Sequence, residues 1–128
     1  MLTELQLEIM RVLWARGEAT VPEVQRALAE ARAHATVATL LSRLEDRQLV
    51  EHRTEGRQYV YRAAVTEAEL RESAMSELSE AAAPLYDGDL TAMVSHLLAV
   101  STVSRSDLAR LRELIQELEA RERGGADG

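Results

Sequence analysis

The chain has 128 residues, 46% of them apolar, with a formal net charge of −7, no cysteine and no phenylalanine. This length suits one domain or two small subdomains, and an interior of Leu, Val, Ala, Met and Ile favours packed helices. The lack of Cys excludes a disulfide framework and a thiolate metal site, and no apolar run reaches the roughly 18 residues of a transmembrane helix.

The N-terminal segment predicts a helix from Thr3 to Arg16. A capping box, Thr3-x-x-Gln6, marks its start, and Gly17 suits the position after its end. The first ten residues lack the basic stretch and separate apolar core of a secretory signal, so we expect a cytoplasmic protein. The apolar stripe of this helix is formed by Leu5, Ile9, Val12 and Leu13.

Two further helices follow, separated by a short turn. Thr20-Val-Pro-Glu23 is a second capping box with Pro in the first turn. The segment His34-Ala35 is the expected turn before a helix over residues 36–47. Apolar side chains of this third helix recur at intervals of one, three and four residues and form one stripe: Val37, Leu40, Leu41 and Leu44.

The other side of the third helix offers small, hydroxyl-bearing and cationic side chains. At about 100° per residue, two alanines and Ser42 point almost opposite the stripe, and the remaining residues lie on its flank. Hydroxyls and guanidinium groups bond base edges or phosphates, and small residues let a helix seat deeply in a groove. The DNA-binding candidates here are Ala35, Thr36, Ala38, Thr39, Ser42 and Arg43.

Each of these candidates has an ordinary alternative role. Thr36 serves as the helix cap in that interpretation, and Thr39 is a surface residue. The two alanines are plain helix formers, and Arg43 forms an intramolecular pair with Glu45, Asp46 or an acid of the first helix.

An arginine-bearing β-hairpin follows directly. Strands over residues 49–54 and 57–63 flank a tight turn at Glu55-Gly56, where glycine permits positive φ. Wing arginines of this kind follow a phosphate backbone or enter a minor groove, although exposed hairpin arginines also serve solubility. The hairpin arginines are Arg53 and Arg57 near the tip, both DNA-binding candidates, and Arg62 on the returning strand.

A docked helix beside a basic hairpin predicts a winged helix-turn-helix domain for binding DNA, over residues 1–64. Tyr59 and Tyr61 alternate onto one face of the second strand. We interpret them as packing within the wing, with a stacking platform for single strands as the alternative. The expected fold class is mostly α (α+β), with a small β-hairpin wing and a helical C-terminal region.

The acidic charge is concentrated in the second half of the chain. Residues 1–63 contain nine Arg and nine acidic residues, whereas residues 64–128 contain six Arg and thirteen acidic residues. Residues 32–62 contain six Arg against four acids. The expected DNA face is therefore locally basic despite the net charge of the chain.

Residues 65–123 are expected to form three helices that dimerise, and residues 124–128 a disordered tail. Capping residues begin these helices at Thr66, Asp89 and Ser104. Because three short helices cannot bury their apolar stripes on one another alone, we expect a homodimer. The expected interface residues are Leu90, Met93, Val94, Leu97, Leu98, Leu108, Leu111, Ile115 and Leu118.

No group of residues in the sequence suits catalysis or metal binding. His34, His52 and His96 are widely spaced, and Asp87-Gly88-Asp89 lacks the rest of a calcium loop and is better explained as a turn and cap. No Ser occupies a nucleophile elbow, and no glycine-rich loop suits a phosphate. We therefore expect no enzyme activity, no metal and no cofactor.

Four segments in the same order resemble the BlaI/MecI/CopY (penicillinase repressor) family of bacterial winged-helix regulators, over residues 3–121. The resemblance implies a homodimeric repressor that binds a palindromic operator on double-stranded DNA and controls genes for β-lactam resistance, copper handling or related stress functions. The four segments are Ile9-Met10-x-x-Leu13-Trp14, Thr36-Val-Ala-Thr39-Leu-Leu-Ser-Arg43-Leu44, Gly56-Arg57-Gln58-Tyr59-Val60-Tyr61 and Leu85-Tyr86-x-Gly88-Asp89.

The chain departs from that family in three respects. The copper-responsive branch carries a C-terminal cysteine motif, which zero cysteines exclude here. Ala35 and Ala38 stand where staphylococcal members have basic side chains, so their operator sequence is not carried over. In the β-lactamase branch a membrane sensor metalloprotease triggers cleavage at an Asn-Phe bond that aligns with His96-Leu97, and these two residues are therefore a candidate proteolytic switch.

Two functions follow from these patterns. The favoured one is an operator-binding transcriptional repressor. The alternative is a winged helix used for protein–protein contact without specific DNA binding, in which the acidic half recruits a basic partner. Salt-sensitive binding to duplex DNA separates the two.

Overall fold

The computed structural model describes residues 2–126 of the chain. The chain divides into an N-terminal unit that ends at Leu78 and a C-terminal unit that begins at Ser79. The sequence placed this boundary earlier, after residue 64. The elements are α1 (Glu4–Arg16), β1 (Ala19–Thr20), α2 (Val21–Ala27), α3 (His34–Asp46), β2 (Val50–Glu55), β3 (Gln58–Ala63), α4 (Glu67–Ala82), a 3-10 helix (Ala83–Tyr86), α5 (Leu90–Val100) and α6 (Arg105–Ala126).

The first two helices begin at the capping boxes that the sequence predicts. The Thr3 hydroxyl accepts from the Gln6 backbone N–H at 3.1 Å, and the Gln6 side chain accepts in return from the Thr3 N–H at 3.0 Å. Thr20 and Glu23 form the same reciprocal pair at the start of α2. These side chains satisfy amide donors that have no partner within the helix.

The three strands form one antiparallel sheet in the order β1-β3-β2. The β2–β3 hairpin pairs Val50 with Ala63 at its base and Glu55 with Gln58 at its tip. The turn residues are therefore Gly56 and Arg57, one position later than the expected turn at Glu55-Gly56. Gly56 has φ +63° and stands at the first central position, as a type II′ hairpin turn requires.

Strand β1 was not predicted, because two residues are too short for an alternating pattern to be visible. It pairs Ala19 with Tyr61 and Thr20 with Val60. Strand β3 is thereby the central strand, and the hairpin is anchored to the helical part of the unit. This pairing explains why Val60 and Tyr61, neighbours in sequence, are both buried.

The hydrophobic core lies entirely within the N-terminal unit. It is built from the apolar faces of α1, α2 and α3 together with the sheet, and no charged or polar residue of the described chain is buried with it. Helices α2 and α3 with the β2–β3 hairpin confirm the predicted winged helix-turn-helix. The buried residues are Ile9, Met10, Leu13, Ala19, Val24, Leu28, Val37, Leu41, Leu44, Val50, Val60 and Tyr61.

Helix α3 is displaced by one to two residues from the predicted range 36–47. It begins at His34 with Ala33 as N-cap, which makes no side-chain capping bond, so Thr36 lies inside the first turn and is not the cap. At the other end Gln48 adopts φ +64°. Its N–H donates to the Glu45 carbonyl at 2.8 Å and the Leu49 N–H donates to the Leu44 carbonyl at 3.0 Å, which is a Schellman motif.

In the C-terminal unit, no residue up to 125 is buried. Asp89 caps α5 by accepting from the Ala92 N–H at 3.0 Å, as the sequence predicts. Helix α6 continues through Ala126, so the expectation of disorder from residue 124 is wrong for residues 124–126, and residues 127 and 128 lie outside the described part. None of the described helices has the length and apolar character needed to cross a membrane.

Candidate nucleic-acid interface

Helix α3 separates its buried and exposed sides as the sequence predicts, with one exception. Its apolar stripe is packed into the core, whereas Ala35, Thr36, Thr39, Ser42 and Arg43 are exposed. Ala38 is half-buried and does not point opposite the stripe. The reason is that it follows the fully buried Val37 by one residue, about 100° around the helix, which places it on the flank.

The turn between α2 and α3 is fixed by side-chain hydrogen bonds from two helices. The Glu8 carboxylate on α1 accepts from the Ala29 N–H at 2.8 Å. The Gln25 amide on α2 donates to the Arg32 carbonyl at 2.8 Å. These bonds cross the loop before α3 and set the direction in which α3 leaves it. Neither residue was singled out in the sequence, because their partners are backbone atoms of a loop whose path the sequence does not specify.

Arg53 on β2 binds carboxylates of its own chain. Its Nη1 donates to Glu18 at 2.5 Å, and its Nη2 donates to Glu18 at 3.1 Å and to Glu55 at 2.9 Å. The hydrogen bonds from Arg53 hold the pKa of the Glu18 carboxyl below its usual value. In the predicted contact between Arg53 and DNA, a phosphate therefore competes with carboxylates of the same chain for the guanidinium.

Arg62 is engaged in the same way, through an ion pair with Glu51 across the hairpin. By contrast, Arg43 on α3 and Arg57 in the turn have no ion-pair partner within the described part of the chain, so the intramolecular pair considered for Arg43 is absent there. The basic charge counted in the sequence is thus partly neutralised internally. Two exposed cations that keep no such partner in the described chain, Arg43 and Arg57, lie on the exposed side of α3 and at the tip of the hairpin.

The aromatic residues of the hairpin connect the wing to α3. His52 stacks on Tyr59 with ring centroids 4.2 Å apart, and its Nδ1 lies 2.5 Å from a Glu45 carboxylate oxygen in the last turns of α3. Tyr61 is buried in the core, and burial raises its pKa. Tyr61 therefore packs in the core, whereas Tyr59 is half exposed and stacks on His52, and the contact between His52 and Glu45 links the wing to α3.

The C-terminal unit leaves most of its apolar side chains exposed. Leu90 is 70% exposed, Leu97 53% and Ile115 56%, and Met93, Leu98 and Leu111 are partly buried. Leu85, Val100 and Leu114 were not among the predicted interface residues, and they are also exposed. They escaped attention because they lie outside the regular stripes on which the prediction relied. The other predicted interface residues that are exposed are Val94, Leu108 and Leu118.

His96 and Leu97 lie in the middle of α5. The His96 Nδ1 shares a hydrogen bond with the Tyr86 hydroxyl, and the two rings meet edge to face with centroids 5.9 Å apart. This contact ties α5 to the preceding 3-10 helix. In the described residues no three His, Cys, Asp or Glu side chains are grouped in a way that suits a metal ion.

Comparison with known proteins identifies the family. The model of the penicillinase repressor family matches residues 2–117 of the chain. The chain belongs to this family. Its members are transcriptional repressors that bind operator DNA and are not enzymes, and this is the function of the chain. Family membership favours the operator-binding function over the alternative of a winged helix used only for protein contact.

Individual relatives of the family are similar to this chain at modest identity. The penicillinase repressor of Bacillus licheniformis is 27% identical over 119 residues, which cover 91% of this chain and 90% of the relative. The solution structure of the monomeric form of Bacillus licheniformis BlaI in complex with the blaP half-operator is 28% identical, with a TM-score of 0.47, and covers 53% of this chain and 85% of that one. The CopR repressor structure is 36% identical, with a TM-score of 0.44, and covers 52% of this chain and 99% of that one.

Proposed function

We propose that this repressor binds a palindromic operator as a homodimer, with α3 of each subunit in the major groove and the wing on the phosphate backbone. The exposed side of α3 carries the proposal. It presents Thr36, Thr39, Ser42 and Arg43 from a helix whose opposite side is packed against the core, so base contacts are made from a rigid support. The small side chain of Ala35 supports close approach to the groove.

The proposed contacts divide into two kinds. Thr36 and Thr39 lie on the exposed side near the start of α3, the part that meets base edges in helix-turn-helix proteins. Arg43 and Arg57 are exposed cations, and we assign them to phosphates. With two such contacts per subunit, a dimer has about four, and log K falls against log salt with a slope of about −3.6.

The C-terminal unit supports the homodimer. It has no buried residue in its described part, yet it exposes leucines and isoleucine on α5 and α6. Helices that bury nothing gain little stability from their own hydrogen bonds, so their apolar faces require a cover. A second copy supplies a complementary surface by two-fold symmetry, and it places a second α3 against the other half of a palindrome.

The proposals for the location of the protein in the cell and for the signal that relieves repression rest on the resemblance to the family. We propose a cytoplasmic protein that controls β-lactam, cell-wall-stress or related genes and is inactivated when a membrane sensor metalloprotease triggers cleavage at His96-Leu97. Both residues are exposed. Cleavage there requires the middle of α5 to unwind, because the bond lies within helical backbone.

Selection of bound duplexes from a random pool tests this function. The proposal expects an inverted repeat whose half-sites are separated by one or two helical turns, about 10 or 21 base pairs from centre to centre. A recovered sequence without two-fold symmetry contradicts the homodimer. Recovery of no preferred sequence, with equal binding to all duplexes, contradicts base contacts by α3.

A further inference from the structure

One ion-pair cluster of the N-terminal unit involves the wing but has no part in the core. Glu18, which precedes β1, accepts both Nη groups of Arg53 in a fork, and Glu55 at the end of β2 accepts a third hydrogen bond from Nη2. All three side chains are about half exposed or more. The two carboxylates and one guanidinium of this cluster leave one excess negative charge beside the hairpin whose turn carries Arg57.

The fork is the geometry that also binds phosphate. An arginine donates two parallel hydrogen bonds to a carboxylate or to a phosphate with the same pair of N–H groups. Arg53 therefore cannot donate the same bonds to Glu18 and to DNA at once. Because exposed ion pairs stabilise a folded protein only slightly, a phosphate is a realistic competitor for the guanidinium.

We propose that Glu18 competes with the DNA backbone for Arg53 and thereby limits the affinity of the wing for every duplex. This inference rests on the proposed placement of the wing on the phosphate backbone. Glu18 is a positioning residue in this account, since it acts on DNA binding through the guanidinium that it holds. When Glu18 is replaced by a neutral residue, Glu55 still accepts a hydrogen bond from the Arg53 side chain. The guanidinium therefore stays beside the wing, where it can reach a phosphate.

Glu18→Gln tests the competition with little change in shape. The amide keeps the size of the side chain but removes the charge that holds the fork. We expect the variant to bind specific and random duplexes about threefold to tenfold more tightly. The slope of log K against log salt steepens by about 0.9 for each arginine released, or about 1.8 for a dimer.

The matched control is Glu67→Gln. It removes one negative charge from the same unit and releases Arg71, the ion-pair partner of Glu67 on α4. If net charge alone determined the affinity for DNA, both variants would bind more tightly by the same factor. The proposal instead expects the affinity of the control to change less than twofold. Equal gains for Glu18→Gln and Glu67→Gln overturn the proposal.

A double-mutant cycle with Arg53→Ala shows whether Glu18 acts through Arg53. In the Arg53→Ala background, Glu18→Gln should raise the affinity for DNA less than twofold. If it raises the affinity as much as in the unaltered protein, the effect comes from repulsion between Glu18 and DNA, and the inference is overturned. If the unaltered protein binds an inverted repeat but Glu18→Gln binds it no more tightly, this inference fails and the proposed function stands. If the unaltered protein binds no duplex at all, both fail.

Discussion

At the scale of single residues, the arginines of the wing differ in how available they are to a ligand. Arg53 and Arg62 are paired with acids of the same hairpin or of the segment before β1, whereas Arg57 occupies the turn and has no ion-pair partner among the residues described. Sequence alone treats them alike, because the pairing depends on which residues face each other across β2 and β3. We therefore expect the availability of each arginine, rather than the number of arginines, to decide which of them contact phosphate.

Substitution of Arg57 tests its assignment to the backbone. Arg57→Ala should weaken binding to specific and random duplexes by a similar factor and reduce the salt slope by about 0.9 per subunit. Titration of labelled duplexes at several salt concentrations measures both effects. Arg71→Ala, which alters an arginine on α4, is the control and should leave the slope unchanged. Loss of affinity for only one sequence contradicts a phosphate contact.

Thr39 is expected to contact a base edge. Thr39→Ala should change the preference at one base pair of each half-site by about 1 kcal/mol, near the lower end of the cost of a mismatched base pair. Binding to a set of single-base operator variants measures this preference. Thr102→Ala, a change of the same kind between α5 and α6, should alter none of them. A uniform loss over all variants would refute the assignment to a base.

At the scale of elements, the sequence predicted the helices that begin at a capping residue and carry an apolar stripe. It placed the start of α3 two residues late, because Ala33 makes no side-chain cap and Thr36 resembles one. It missed β1, whose two residues become a strand only by pairing with β3. Helical periodicity was enough to predict the exposed side of α3. The hydrogen bonds of Glu8 and Gln25 could not be predicted in this way, because they depend on contacts between elements.

The end of α3 provides a stability prediction. Gln48 adopts a left-handed conformation that glycine tolerates without strain. Gln48→Gly should raise the free energy of unfolding by roughly 0.5–1 kcal/mol, measured by urea denaturation. Gln48→Ala keeps the strained backbone and removes only the side chain, so it should leave stability nearly unchanged. Destabilisation by Gln48→Gly would contradict the assignment of backbone strain to this position.

At the scale of the whole molecule, the two units differ in how they are stabilised. All the residues that are buried in the described part of the chain belong to the N-terminal unit, and the C-terminal unit exposes its apolar faces. The sequence predicted this difference from helices too short to cover their own stripes. The domain boundary expected from the sequence, after residue 64, lies before α4, which begins at Glu67. In the structure, the residues of α4 up to Leu78 belong to the N-terminal unit.

Dimerisation is tested by placing a charge on the apolar face of α6. Leu118 is 51% exposed in the single chain, so Leu118→Glu should leave the subunit folded while it disrupts the interface. Losing the burial of one leucine on each side should raise the dimer Kd roughly 100-fold. Ala120→Glu adds the same charge on the opposite side of α6 and should have little effect. Sedimentation equilibrium measures both variants, and equal behaviour of the two contradicts the proposed interface.

The most direct test of the account compares two duplexes that contain the same half-sites. One is the inverted repeat recovered by selection, and the other carries about five extra base pairs between its halves, which turns the second half-site to the far side of the helix. We expect two chains to bind the first duplex cooperatively and the second duplex much more weakly. Equal affinity for both, with one chain bound to each half-site independently, would contradict a dimer that presents two α3 helices to one palindrome.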